Sequence, residues 1–257
     1  MNLNLLKKVY IVSGSSRGIG RGIAKTLLDE GACVVLTGRD IQSLQSTYDA
    51  LICIYPDQVI QHAGDLGKEQ TLEALAQSTV KKWNKIDGII ANAGAVKPVD
   101  EWNILETDWK WYVNANLLNS IRFTTHFIPH LKKTKGSIVF ISSIAGLEDI
   151  GAPIPYSTSK AALTMYAKGL ARKLSQDGIR VNTVAPGNII FSEGNWEMKL
   201  NDDPIRTNKM LIEKVPLRRF GKPEDVGNIV TFLVSEKANF ITGSCFVVDG
   251  GQTLLFI

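Results

Sequence analysis

The sequence predicts one α/β domain over residues 1–257: a doubly wound, seven-stranded parallel sheet with helices on both faces. Three observations predict it. Short apolar runs alternate with longer helical patterns, a glycine-rich run follows the first apolar one, and no Pro/Gly/Ser linker or low-complexity stretch divides the chain.

Strands are expected at 9–12, 33–37, 59–62, 88–91, 138–141, 181–184 and 246–248. Most are continuously apolar, as strands covered on both faces must be. Between the first two, Ile19, Ile23, Ala24, Leu27 and Leu28 recur at helical spacing and Gly31 follows where a helix would end, which makes a βαβ unit. Further helical patterns fall at about 43–52, 68–82, 107–131, 157–175, 203–214 and 223–234. Right-handed crossovers then place helices on both faces, and ligands belong at the carboxyl ends of the strands.

The chain is 44% hydrophobic and 21% charged, which excludes a disordered or collagen-like polymer. Its formal net charge of +4 comes without a dense Lys/Arg block, so no nucleic-acid partner is expected. Cys33, Cys53 and Cys245 each sit in an apolar or β-rich stretch and read as structural thiols of a reducing, cytoplasmic compartment. The apolar run at 9–12, after Lys7 and Lys8, is too short for a signal peptide, and no membrane span is expected. His126 and His130 lie four apart on an expected helix without a third ligand, so no metal site is assigned.

Directly after the first strand come Gly14, Ser15, Ser16, Arg17, Gly18, Ile19 and Gly20, with a helix opening inside the run. Glycines let a backbone turn tightly and approach a pyrophosphate at the positive end of a helix. A glycine triplet can also be a plain strand-to-helix turn; its place in a βαβ unit favours the nucleotide-binding reading. The second strand ends in Thr37-Gly38-Arg39, where a Rossmann fold specific for NAD(H) usually carries a carboxylate for the adenosine ribose. Arg39 and Arg17 suit a 2′-phosphate instead, so NADP(H) is expected in preference to NAD(H). The alternative is two solvated arginines, one neutralised by Asp40.

From here the pattern resembles the short-chain dehydrogenase/reductase family over nearly the whole chain. The matching motifs run in order: Asp65-Leu66, Asn92-Ala93-Gly94, Asn116, Ser143, Tyr156-x-x-x-Lys160, Pro186-Gly187 with Ile189 beyond it, and Asp249-Gly250-Gly251. The resemblance implies that Asp65 and Leu66 meet the adenine end of a nicotinamide cofactor. It also implies that Asn92 to Gly94 pack beneath that cofactor, with Pro186, Gly187 and Ile189 beside it. Ser13 stands for the family's usual Thr, Ala91 for the first Asn of the turn, and Phe191 for a Thr that helps hold the nicotinamide amide; Ser192 is the nearest replacement hydroxyl.

Reducing a ketone adds hydride to carbon and a proton to oxygen, so an acid must face the carbonyl oxygen; Tyr156 is the candidate. A phenol ordinarily titrates near pH 10, and the Lys160 cation, four residues on along the same helix face, is expected to stabilise the phenolate. Ser143 is expected to hydrogen-bond the substrate oxygen, with Ser142 as a structural hydroxyl. The resemblance gives Asn116 a water that links Lys160 to solvent; a solvent-facing or helix-bending Asn is the alternative. Asn114 belongs to another face.

Residues 188–215, with Phe191, Trp196, Met198 and Met210, interrupt the strand–helix alternation and read as a substrate lid, or else as a solvated helix with an apolar stripe. Val96, Lys97, Leu147, Glu148 and Ile150 are expected on the opposite wall. Lys132, Lys133 and Lys135 would suit an acidic carrier of acyl groups if they surround the pocket. The expected substrate is a small carbonyl compound or a 3-oxoacyl thioester, as in the 3-oxoacyl-carrier reductase branch of the family. A sugar or steroid hydroxyl, or a dinucleotide sensor without turnover, are the alternatives. The apolar tail Thr253–Ile257 suggests burial against a second subunit, and the resemblance implies a homotetramer associating through the helices near 107–131 and 157–175 and the last strand.

Overall fold

The computed structural model describes residues 2–99 and 102–254. Leu255 to Ile257, the end of the apolar tail, lie outside the described residues. Seven strands form one parallel sheet: β1 (Val9–Val12), β2 (Cys33–Gly38), β3 (Val59–Ala63), β4 (Gly88–Ala91), β5 (Ser137–Ile141), β6 (Arg180–Pro186) and β7 (Cys245–Val248). Their order is β3-β2-β1-β4-β5-β6-β7. The winding reverses between β1 and β4, so a crevice opens where both strands end, at Val12 and Ala91.

The helices are α1 (Gly18–Asp29), α2 (Ile41–Ile52), α3 (Glu69–Trp83), α4 (Glu106–Val113), α5 (Asn119–Thr134), α6 (Ile154–Leu174), α7 (Asn195–Asp202), α8 (Pro204–Lys214) and α9 (Pro223–Val234). Alternate strand residues feed two cores. Tyr10, Val12, Val34 and Leu36 pack with Ile23, Leu27, Val226 and Val230 on one face, while Ile11, Val35, Ile89 and Phe140 pack with Leu72, Phe123, Phe127 and Leu163 on the other. That two-sided burial is why the strands read as unbroken apolar runs. α1 is pressed against α9 at two glycines: a Cβ on Gly22 would stand 2.3 Å from Pro223 Cβ, and one on Gly227 would stand 2.5 Å from Thr26 Oγ1. This contact fixes where the start of α1 points.

Two expectations are corrected. The helix expected over 107–131 is two helices joined by a π-helical turn at Asn114–Leu118, which contains Asn116. Residues before 203 were expected without a helix, yet Asn195–Asp202 forms α7; it buries none of its residues, so it left no apolar periodicity to find. No described helix is long and apolar enough to cross a membrane.

Candidate active site

The glycine-rich loop is built by backbone bonds that small residues alone permit. Gly14 and Gly18 have φ of +63° and +57°. A Cβ on Gly20 would stand 2.3 Å from the Gly14 carbonyl oxygen and 2.6 Å from Asn92 Nδ2, so the loop and the β4 turn are in direct contact. The Ser13 hydroxyl accepts from the Asn92 and Ala93 amides at 2.8 and 2.9 Å, filling the place of the family's Thr with the same functional group. Asn92 Nδ2 donates to the carbonyls of Ser13 and Gly14 at 2.9 and 3.0 Å. Thr37 and Thr47 complete the loop, a role that no sequence motif marks: Thr37 Oγ1 donates to Val12 O at 3.1 Å and Thr47 Oγ1 to Ser16 O at 2.6 Å.

Arg17 occupies the N-cap of α1 without a side-chain cap, so the first amides of the helix present donors beside a cradle of glycines. These residues fit a dinucleotide pyrophosphate. Arg39 is exposed just past β2, and Asp40 caps α2 by accepting from Ser43 N at 2.7 Å. Asp65 accepts from Gly67 N at 3.0 Å beyond the end of β3, whereas Leu66 turns its side chain into the core and offers the site its backbone. Ile19 and Ile189 also pack into the core, and Gly187 N bonds Val248 O at 3.0 Å, holding the turn after β6 against β7.

Four residues converge at the ends of β4 and β5. Lys160, 3% exposed, donates from Nζ to Ile141 O at 2.9 Å, and its ammonium lies 5.8 Å from the centre of the Tyr156 ring one helical turn away. The 3₁₀ turn Ile144–Gly146 sets this register, since a Cβ on Gly146 would stand 2.7 Å from the Ala161 amide nitrogen. Ser142 is the structural hydroxyl expected, donating to Lys160 O at 2.9 Å and accepting from Thr164 Oγ1 at 2.9 Å. Ser143 stands beside the Tyr156 hydroxyl.

Burial lowers the Lys160 pKa to about 8. Burial also raises the Tyr156 pKa, with the Ser143 hydrogen bond opposing it. In the protein alone desolvation outweighs the opposing hydrogen bond, so the Tyr156 phenol is held in its protonated form.

Asn116 is fully buried. Its Oδ1 accepts from Ala95 N at 2.9 Å, and its Nδ2 donates to Ala95 O at 2.9 Å and to Tyr112 O at 3.2 Å. Both side-chain donors are spent on the backbone, which excludes the solvent-facing alternative. Gly94 passes between Asn116 and Lys160, because a Cβ there would stand 2.8 Å from Asn116 Oδ1 and 3.3 Å from Lys160 Nζ. Asn114 is exposed and accepts from Arg122.

The segment 188–215 lies against the glycine-rich loop. Asn188 Nδ2 contacts Met210 Sδ at 3.7 Å, Thr207 Oγ1 donates to Lys199 O at 3.0 Å, and Asp203 caps α8. The Phe191 ring lies on the glycine loop: a Cβ on Gly18 would stand 2.7 Å from it. Ser192, the expected replacement hydroxyl, is exposed on the turn. Arg17 Nη1 meets Glu193 Oε2 at 3.4 Å. On the opposite wall Val96 and Ile150 are exposed, Lys97 pairs with Asp108 at 2.6 Å, and Glu148 accepts from Leu254 N at 2.8 Å. Lys132, Lys133 and Lys135 do not surround the pocket. They end α5 immediately before β5 begins, at the amino-terminal end of the strands and away from the site, and Lys132 pairs with Asp177 at 2.9 Å.

A family model described as Enoyl-(Acyl carrier protein) reductase matches residues 14–253. The 3-oxoacyl-acyl-carrier-protein reductase FabG of Thermotoga maritima is 30% identical over 98% of this chain and all of its own. L-fucose dehydrogenase of Bos taurus is 33% identical over 96% of this chain and 90% of its own. Among solved structures, L-sorbose reductase from Gluconobacter frateurii, complexed with NADPH and L-sorbose, superposes with a TM-score of 0.91 over the whole of both chains at 28% identity. Motifs, sheet order and full-length similarity agree: the chain belongs to the short-chain dehydrogenase/reductase family, oxidoreductases that work on alcohol and carbonyl groups with a nicotinamide cofactor.

Proposed function

We propose that the protein is an NADP(H)-dependent carbonyl reductase in which Tyr156 hands a proton to the substrate oxygen. The observation that carries this reading is the buried Lys160 one turn from Tyr156, with Ser143 beside the phenol. Gly14, Ser16, Arg17, Gly18, Ile19 and Gly20 cradle the pyrophosphate, Arg17 and Arg39 face the 2′-phosphate, and Asp65 and Leu66 border the adenine. Asn92, Ala93, Gly94, Pro186, Gly187 and Ile189 form the floor of the nicotinamide end. Bound there, the nicotinamide supplies the hydride for reduction or accepts it in the reverse direction.

Ser143 and Tyr156 hydrogen-bond the carbonyl oxygen, Tyr156 gives up its proton as negative charge develops, and Lys160 stabilises the phenolate that remains. Asn116 holds the neighbouring backbone in place, and a water lined up with Lys160 returns the proton. Residues 188–215 close over the substrate as a lid.

The substrate class we assign is the 3-oxoacyl thioester, on the strength of the full-length similarity to reductases named for that substrate. A keto sugar is the second reading, favoured by the structural match to a sorbose reductase. The enzyme is further proposed to be a cytoplasmic homotetramer.

The test is Tyr156→Phe, assayed with acetoacetyl-CoA and L-sorbose against both reduced cofactors. Turnover should fall by about 10²–10⁴-fold while cofactor affinity holds. Undiminished turnover overturns the assignment of Tyr156. Tight NADPH binding by the wild type, with no turnover of any carbonyl offered, would instead favour a sensor.

A further inference from the structure

The segment after β4 is held by two side chains one helical turn apart. Asn116 takes both backbone groups of Ala95. Tyr112 does the same for Lys97: its hydroxyl accepts from Lys97 N at 3.0 Å and donates to Lys97 O. The two clamps are joined, because the Tyr112 carbonyl accepts from Asn116 Nδ2 at 3.2 Å. Tyr112 is fully buried, and its ring meets Tyr156 edge-on, with centroids 6.5 Å apart and planes at 67°. Val96, between the clamped residues, is 39% exposed.

A hydroxyl that bonds both the N–H and the C=O of one residue fixes that peptide as a strand neighbour would. The same side chain therefore touches Lys97 through its hydroxyl and Tyr156 through its ring. We propose that Tyr112 is a positioning residue for carbonyl reduction: it fixes residues 95–97 so that Val96 forms a rigid wall beside Tyr156 and Gly94 stays sealed over Lys160. This rests on the assignment of Tyr156 and Lys160 made above.

The test is Tyr112→Phe in the full chain, which keeps the ring and deletes the hydroxyl. Using whichever of acetoacetyl-CoA or L-sorbose the wild type reduces, kcat should fall about tenfold and KM should rise, while NADPH affinity by fluorescence titration stays within about twofold. Lys160, whose pKa burial lowers to about 8, is expected to set a limb of the kcat–pH profile, and that limb should move upward as water reaches its ammonium. Tyr166→Phe removes a phenol hydroxyl from a ring that packs on Phe140, away from Lys97, and should leave the limb unmoved.

Unchanged kcat, KM and limb in Tyr112→Phe overturn the proposal. So does a fall in activity that only tracks lost cofactor affinity and thermal midpoint, or an equal limb shift in Tyr166→Phe. If Tyr156→Phe itself turns over normally, the site assignment falls and this proposal with it; a dead Tyr156→Phe beside a normal Tyr112→Phe removes this proposal alone.

Discussion

The cluster of Ser142, Tyr156, Lys160 and Asn116 and the segment 188–215 are held in opposite ways. Ser142, Asn116 and Lys160 are buried, and each is bonded to the backbone of a strand, a helix or a clamped loop. By contrast, α7 buries no residue, Met198, Ile205 and Ile212 are exposed, and the segment reaches the glycine loop through one ring and one surface ion pair. The difference teaches where each property resides. On the proposed function, the groups that handle the proton are those the fold holds most firmly, while the substrate is covered by a segment whose helix α7 is held by no buried side chain of its own.

Lys160→Met breaks the rigid side of the comparison and carries the largest expected effect. Turnover should drop by about 10²–10⁴-fold, read by the absorbance of the nicotinamide band. Its stability effect has a definite sign. Burial lowers the Lys160 pKa from the ordinary 10.5 of a lysine to about 8. Below pH 8 the full cost of burying the cation is present, and it disappears as pH rises through 8 toward 10.5, because the unfolded chain then binds the extra proton. Relative to Lys160→Met, the wild type should therefore gain about 2 kcal/mol between pH 7 and 9.5 in urea titrations. A flat difference would mean that water already reaches the ammonium.

Arg39→Asp probes the junction between the rigid cradle and solvent. A carboxylate there repels a 2′-phosphate and suits a ribose hydroxyl, so the ratio of NADPH to NADH affinity should fall by about 10–100-fold. Turnover with the better-bound cofactor should persist, since β2 and the proton-handling residues are untouched. An unaltered ratio would assign the phosphate to Arg17 alone.

The two regions also differ in how far the sequence discloses them. The glycine loop, Tyr156 with Lys160, and the strands are local patterns: turn residues, i,i+4 spacing and unbroken apolar runs carry their own geometry. The Tyr112 clamp is invisible in the same sense, because Lys97 and Tyr112 meet only once β4 and α4 have packed. The π turn at Asn114–Leu118 escapes for a related reason: Asn116 is engaged by Ala95 across a loop, a tertiary effect that no helical periodicity encodes. Position misled as well as pattern. Lys132, Lys133 and Lys135 look available to a substrate carrier until the crossover from α5 to β5 puts them at the amino-terminal ends of the strands, opposite the site.

The mildest perturbation sharpens the mobile side. Glu193, with φ of +61°, is bent back so that its carboxylate meets Arg17 3.4 Å away, the same guanidinium assigned to the 2′-phosphate. Both groups are exposed, so the pair is weak and screened by salt. It nevertheless competes with the phosphate for one cation, and NAD(H) has no phosphate with which to compete. Glu193→Gln should therefore raise NADPH affinity by about two- to fivefold, leave NADH affinity unchanged, and lose its effect in about 0.5 M salt. Equal gains for both cofactors would implicate instead a general loosening of the Phe191 ring from Gly18, which opens the cradle without regard to the 2′ position.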